Sequence, residues 1–169
     1  PHTRNPYVSA VPPCPLPLSA LPFTLNLYCR ARSDPAPARS TAWIARWAPH
    51  FERLGAPMPT ELKPPYQSFL ANEPMLELLL AERPAVVSFH FGLPSPDRIA
   101  ALRAAGIRTM ATATHVAAAE VIEAAGIDAI VAPGIESGGH RGLFDPPTAD
   151  AQLSLSALTR LLVSPGWLP

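Results

Sequence analysis

The sequence predicts an α/β fold in which four parallel strands alternate with helices. Three of the strands are predicted from short apolar runs at residues 85–91, 107–113 and 127–132, with one helical pattern between each run and the next. The tetrapeptide Ala-Ala-Gly-Ile ends one helical pattern at residues 104–107 and the next at residues 124–127. Units of strand and helix with such short connections favour a parallel sheet with right-handed crossovers.

A fourth strand and two helices are predicted ahead of these units. The strand covers residues 23–29, and Thr41 can cap a helix that Pro49 kinks or ends. The apolar side chains on one face of that helix are expected to pack in the core rather than to form a cofactor site. They are Trp43, Trp47, Phe51 and Leu54. A second helix is predicted over residues 67–82, interrupted at Pro74, with three buried leucines: Leu76, Leu79 and Leu80.

Helix boundaries are marked more clearly in the second half of the chain. Residues 95–97, Ser-Pro-Asp, supply a cap, a proline at the first helical position and an acid in the first turn. Gly106 can end that helix in the left-handed conformation. Thr114 is expected to cap the next helix and Gly126 to stop it. After Asp150 one amphipathic helix is predicted, with apolar positions at Leu153, Leu155, Leu158, Leu161 and Leu162.

Composition excludes several classes of function. The chain has 169 residues, enough for one domain with a sizeable core, and its 13 basic residues balance its 13 acidic ones. Balanced charge gives no electrostatic footprint for nucleic acid or for an anionic membrane, and no apolar run is long enough to span a bilayer. Cys14 and Cys29 match no metal-ligand spacing and are expected to be reduced thiols, which favours a cytoplasmic location.

The two ends of the chain are predicted to lie outside the folded domain. Seven of the 23 prolines fall within the first 22 residues, so this part can form neither a regular helix nor a central strand. We expect an irregular extension at residues 1–21, one domain at residues 22–163 and an irregular tail at residues 164–169. Because the chain also begins at Pro1, we expect it to be a piece of a larger protein.

A glycine-rich loop follows the last predicted strand. Residues 134–142, GIESGGHRG, contain four glycines in nine residues, which lets the backbone approach a ligand closely. Such a loop after a buried strand often holds a phosphate. A tight turn with a solvent-facing histidine is an equally good interpretation.

Four predicted strand ends would meet at one edge of the sheet, where α/β proteins bind ligands. Asn26, His90, Thr112 and the 134–142 loop fall at these ends, so His90 and His140 can converge. An imidazole suits acid–base chemistry near neutral pH, whereas no third ligand supports a metal site. An asparagine near a strand end more often only satisfies local backbone groups. The other histidines are expected to be structural or exposed: His2, His50 and His115.

Three segments resemble the nitronate monooxygenases, formerly called 2-nitropropane dioxygenases. They are PFTLNL at residues 22–27, VVSFHFGLP at residues 86–94 and GIESGGHRG at residues 134–142. The resemblance covers about residues 22–160. Flavin-dependent enoyl reductases share a Gly-Gly-His loop but lack the Ser-Phe-His-Phe-Gly strand end.

The resemblance implies a TIM barrel that holds FMN at the carboxyl-terminal rim and uses no metal. The family oxidises alkyl nitronates, and in some members nitroalkanes, with O2 to a carbonyl compound and nitrite. Asn26 matches a strand-end asparagine that contacts FMN, and Gly138 and Gly139 match backbone contacts to the flavin. His140 matches the catalytic base or substrate-activating group, and His90 matches the second active-site histidine.

The chain departs from the family in two respects. Pro133 replaces the usual glutamine and has no N–H, which affects one flavin contact. The resemblance places the four strands as the third to sixth of a barrel, so we predict a partial TIM barrel, incomplete at both ends and without most of the FMN phosphate site. An inactive fragment with at most weak flavin affinity, association through unpaired sheet edges, and an enoyl reductase-like enzyme are therefore alternative hypotheses.

Overall fold

Four parallel strands form one sheet whose spatial order follows the chain. They are β1 Thr24–Tyr28, β2 Val86–His90, β3 Arg108–Thr112 and β4 Ala129–Val131. The computed structural model describes residues 22–31, 36–62, 67–144 and 150–163. The predicted extension at residues 1–21, the tail at residues 164–169 and Cys14 lie outside these ranges. The α/β prediction with four parallel strands is confirmed, each strand being one or more residues shorter than expected.

Five α-helices accompany the strands in the described ranges. They are α1 Pro37–Leu54, α2 Glu73–Glu82, α3 Pro96–Ala104, α4 Val116–Ala124 and α5 Leu155–Leu162, and a 3₁₀ turn at Phe69–Ala71 precedes α2. None of these helices has the length and apolar character needed to cross a membrane.

The core lies on one face of the sheet. Val87 and Phe89 of β2 and Ala111 of β3 are fully buried there, and the ring of Phe69 stacks on Phe89 at 6.0 Å. Leucines of α2, α3 and α5 and Ile122 of α4 complete this core: Leu76, Leu79, Leu102, Leu158 and Leu162. Because side chains alternate along a strand, the opposite face carries mostly partly exposed residues, such as Ser88, His90 and Met110. In a closed barrel this face would line the interior.

Asp128 fixes the register between β3 and the start of β4. Its carboxylate accepts hydrogen bonds from the backbone N–H and the hydroxyl of Thr109, at 2.8 and 2.9 Å, and from Arg108 at 2.9 Å. The backbone hydrogen bond from Thr109 is the main reason why the pKa of Asp128 lies below its usual value. The carboxylate therefore links the two strands in its ionised form.

The first two helices differ from their predictions. Helix α1 begins at Pro37, which suits the first helical position, and it continues past Pro49 to the left-handed Gly55. The prediction that its aromatic face packs in the core is wrong for the described chain: α1 has no buried residue, and Trp43 and Trp47 are 48% and 43% exposed. An amphipathic pattern specifies an apolar face but not the surface that covers it. Pro74 lies in the first turn of α2, where it is tolerated, so it begins the helix instead of interrupting it.

The cap of α4 is also not the predicted one. His115, not Thr114, is the N-cap, and its Nδ1 accepts a hydrogen bond from the backbone N–H of Ala118 at 3.1 Å. An unprotonated imidazole nitrogen replaces the usual oxygen acceptor here. The structural role expected for His115 is thereby explained.

Candidate active site

Parallel pairing places four side chains in one row near the carboxyl ends of the strands. Tyr28 of β1 is opposite His90 of β2, and Thr112 of β3 is opposite Val131 of β4. His90 and Thr112 are joined directly, with 3.0 Å between Nδ1 and Oγ1. The register therefore builds one edge of the site from all four strands.

The two histidines predicted to converge do meet, although they are 50 residues apart in sequence. The contact is between the Nε2 atom of His90 and the backbone carbonyl oxygen of His140, at 3.1 Å. The two imidazole rings are therefore not equivalent, because His90 has both nitrogens engaged by Thr112 and by this carbonyl.

The ring of His140 is left free within the described chain. Its side chain is exposed, and neither ring nitrogen has a hydrogen-bond partner among the described residues. Its ring meets the ring of Phe91 edge to face, at 6.1 Å and 89°. An imidazole oriented by an apolar contact but free at both nitrogens can exchange a proton with a bound molecule.

Phe91 is held in a strained conformation that orients this aromatic contact. Its φ is +69°, in the left-handed region, which costs a residue other than glycine about 1–3 kcal/mol at such sites. The following Gly92 (φ +139°) leaves no space for a Cβ, which would lie 2.9 Å from the carbonyl oxygen of Cys29. The sharp exit from β2 therefore aims the Phe91 ring at His90 and His140, at 4.3 and 6.1 Å.

Arg141 ties the glycine-rich loop to three segments. Its guanidinium donates to the carboxylate of Asp150 at 2.8 and 3.1 Å and to the carbonyl oxygens of Pro133 and Gly134 at 2.9 and 3.1 Å. A longer bond of 3.5 Å reaches the carbonyl oxygen of Thr114, two residues after the end of β3. The hydrogen bond from Arg141 is the main cause that holds the pKa of Asp150 below its usual value.

A second attachment joins the start of the same loop to α5. The N–H of Ile135 donates to the carbonyl oxygen of Leu153, and the Glu136 carboxylate accepts from the N–H of Leu155, both at 2.8 Å. Its own backbone N–H and that of Leu155 lower the pKa of Glu136. The Glu136 carboxylate therefore has a structural role and is not a candidate base.

The middle of the loop is the part that could hold a cofactor. Gly138 and Gly139 are exposed, a Cβ on either would meet nothing within 4 Å, and Gly139 has φ +82°. Their backbone N–H groups make no hydrogen bond within the described ranges. Unpaired N–H donors on an open loop fit the polar edge or the negative charge of a flavin such as FMN.

These residues line a cleft of about 320 Å³, near the lower limit for small-molecule sites. Its walls include His90, Thr112, Pro133, Gly138, Gly139 and His140. Asn26 is not among the lining residues. It lies in the middle of β1 rather than at its end, where its Oδ1 accepts a hydrogen bond from Ser88 at 2.9 Å.

Sequence reasoning missed three residues of the site. Arg141 stands in the quoted motif without an assigned role, and the sequence marks Asp150 only as a residue before a predicted helix, although the two form an ion pair. Phe91 carries a positive φ that no local pattern announces, apart from the glycine after it. The position of Arg141, a basic residue directly after the predicted base His140, was the one signal in the sequence that could have indicated this ion pair.

Comparison with known proteins identifies the family of the chain. The family model described as nitronate monooxygenase matches residues 17–164. The nitronate monooxygenases of Paraburkholderia phytofirmans and Pseudomonas aeruginosa are 51% and 49% identical to the chain over 152 residues, which are 90% of this chain. The match covers 42% and 43% of those relatives, so the chain spans about two fifths of their length.

A solved structure agrees with this result. The nitroalkane oxidase of Streptomyces ansochromogenes superposes with a TM-score of 0.67 and 32% sequence identity, over 82% of this chain and 39% of that one. The open four-stranded sheet is thus a part of a TIM (β/α) barrel, as predicted.

Proposed function

Because the chain belongs to the nitronate monooxygenase family, we propose that it forms part of an FMN-dependent oxidoreductase that oxidises alkyl nitronates or nitroalkanes with O2 to a carbonyl compound and nitrite. The observation that carries the proposal is the meeting of His90 and His140 beside the open loop at Gly138 and Gly139. Because the chain spans about two fifths of the length of its relatives, the catalytic activity of this chain by itself is part of what we propose.

His140 is the proposed base. The carbon next to a nitro group is acidic enough to lose a proton to an imidazole poised near neutral pH. The ring of His140 has both nitrogens unengaged within the described chain and faces the cleft, whereas Glu136 is committed to α5. For a substrate that is already a nitronate, the protonated ring would instead donate a hydrogen bond to the anion.

The loop and β1 supply the proposed flavin contacts. When bound, FMN would be the electron acceptor for the nitronate, and the reaction would consume O2. The N–H groups of Gly138 and Gly139 would donate to it, and the Asn26 amide would contact it from two residues below His90 in register. Two residues of strand correspond to about 7 Å. Pro133 can offer no N–H, and its carbonyl oxygen is already engaged by Arg141.

A second candidate is an inactive fragment with at most weak flavin affinity. It is favoured by the exposed inner face of the sheet, where Asn26 is open to solvent. One experiment distinguishes the active enzyme from the inactive fragment. FMN is added to the 169-residue chain, bound flavin is measured by fluorescence quenching, and O2 uptake is followed with propionate 3-nitronate. Uptake of about one FMN per chain with O2 consumption supports the enzyme; a colourless, inert protein contradicts it and supports the fragment.

The role of His140 has its own prediction. His140→Asn should lower nitronate or nitroalkane turnover by about 10²–10⁴-fold, the usual contribution of a general base, while FMN binding is kept. His50→Asn, on exposed α1, is the matched control and should change nothing. If the 169-residue chain is inactive, the same pair is made at the equivalent positions of the Pseudomonas aeruginosa relative. Unchanged turnover in the His140 variant would remove its assignment as the base.

A further inference from the structure

We infer that His90 is a positioning residue, not a proton acceptor: with Thr112 it forms a seat that holds the main chain of His140. The inference rests on the proposed function, because it assigns different tasks to the two histidines of that site. It begins from the two contacts of the His90 ring, Nδ1 to Thr112 Oγ1 at 3.0 Å and Nε2 to the carbonyl oxygen of His140 at 3.1 Å.

The partner of Nε2 decides the tautomer of His90. A carbonyl oxygen only accepts hydrogen bonds, so Nε2 must carry the hydrogen. In the neutral ring Nδ1 then holds the lone pair, and the hydroxyl of Thr112 donates to it. Both nitrogens are thus occupied, and His90 can take a proton at Nδ1 only by giving up the hydrogen bond it accepts from Thr112.

Gly142 gives independent support for the seat. A Cβ at this position would lie 2.7 Å from Cε1 of His90 and 2.8 Å from Cγ2 of Thr112, closer than real Cβ atoms approach. The last glycine of the motif therefore lies directly against the His90–Thr112 pair. The loop returns over this pair because residue 142 has no side chain.

The segment around His140 is consequently held on two sides. Its carbonyl is fixed by His90, and the next residue, Arg141, is fixed by its ion pair with Asp150 at 2.8 Å. The imidazole of His140 itself has no hydrogen-bond partner in the described chain, and its ring meets the ring of Phe91 edge to face. The geometry therefore gives the two histidines different roles: the His90 ring holds the loop in place, and the His140 ring is the group that reacts.

Two substitutions at His90 distinguish holding from proton transfer. The side-chain N–H of His90→Gln can occupy the place of Nε2 and donate to the His140 carbonyl, whereas the shorter His90→Asn cannot reach it. If His90 positions the loop, the Gln variant should keep kcat within about tenfold and the Asn variant should lose about 100-fold, with the acidic limb of the pH profile unmoved. If His90 is the base, both variants lose activity equally, and the inference is overturned.

Two measurements test the seat without turnover, so they succeed or fail separately from the proposed function. Nitrogen-15 NMR of the 169-residue chain should show the neutral ring of His90 with hydrogen on Nε2 and none on Nδ1. Amide hydrogen exchange at Leu143, whose N–H donates to the carbonyl oxygen of Arg141 at 3.0 Å, should be faster in His90→Asn than in the wild type and nearly unchanged in His90→Gln. Hydrogen found on Nδ1 instead of Nε2, or equal exchange in both variants, contradicts the inference.

Two substitutions at Thr112 form a matched pair that tests the hydrogen bond to Nδ1 of His90. Thr112→Val keeps the shape but removes the hydroxyl that donates to Nδ1, so the tautomer signal should broaden or shift; Thr112→Ser should leave it unchanged. The NMR measurement on the unmodified chain needs no variant and decides the tautomer even if His90→Asn does not fold.

Discussion

At the residue scale, two buried threonines on the same strand and its exit have opposite surroundings. Thr109 of β3 exchanges hydrogen bonds with Asp128, whereas the hydroxyl of Thr114 is fully buried and has no partner in the described chain. A buried polar group without a partner costs free energy on folding. Thr114 therefore looks like a helix cap in the sequence but is a destabilising group in the fold.

This contrast predicts that the same substitution has opposite signs at the two sites. Thr114→Val should raise the free energy of unfolding by about 1 kcal/mol, because it removes an unsatisfied hydroxyl at nearly constant shape. Thr109→Val should lower it by about 1.5–3 kcal/mol, because it removes hydrogen bonds to an ionised carboxylate. Urea unfolding of both variants at neutral pH measures the difference. A loss of stability in Thr114→Val as large as in Thr109→Val would show that the hydroxyl has a partner after all.

At the element scale, the repeated Ala-Ala-Gly-Ile segment does the same work twice. Gly106 and Gly126 have φ of +80° and +70°, and the N–H groups of the isoleucines that follow donate back to Leu102 and Ile122. These are Schellman caps, which need glycine at the left-handed position. Both helix ends could be predicted because a cap depends on a few consecutive residues. The start of α4 could not, because Thr114 is drawn into the core and the cap moves to His115.

The unusual cap of α4 gives a prediction for that helix. His115→Ala should lower the free energy of unfolding by about 0.5–2 kcal/mol, since the N–H of Ala118 loses its acceptor. His115→Asn keeps a short acceptor at the same position and should retain most of the stability. Chemical denaturation monitored by circular dichroism compares the three proteins. Equal losses for Ala and Asn would argue that the imidazole stabilises α4 by packing and not as a cap.

At the scale of the whole molecule, the described chain is an open sheet with helices α2 to α5 packed on one face. In the described ranges β1 pairs only with β2 and β4 only with β3, and the aromatic face of α1 makes no extensive contact with another element. Unpaired edges and exposed apolar faces are surfaces through which chains associate.

The cytoplasmic location predicted from reduced cysteines stays a prediction. Cys29 is a free thiol, and its burial raises its pKa to about 12.

We predict that the 169-residue chain by itself associates in a concentration-dependent way. Leu25→Lys places a charge on the edge strand β1 and should shift sedimentation profiles towards the monomer, because edge lysines oppose strand pairing. Val121→Lys, at an exposed site on helix α4 rather than on a strand, is the control and should leave association unchanged. A wild-type chain that remains monomeric over a hundredfold range of concentration would contradict this prediction.

The amino-acid sequence alone predicts the succession of strands and helices, the family, and the motifs that bring His90 and His140 to one edge. These features follow from periodicity, glycine caps and short segments, all of which are local. Three features became evident only from the packed structure: α1 is exposed, Arg141 is bound to Asp150, and within the described residues His90 has both ring nitrogens engaged while His140 has neither. The reason is that each of these depends on which atoms meet across the fold, and residues as far as 50 positions apart decide it.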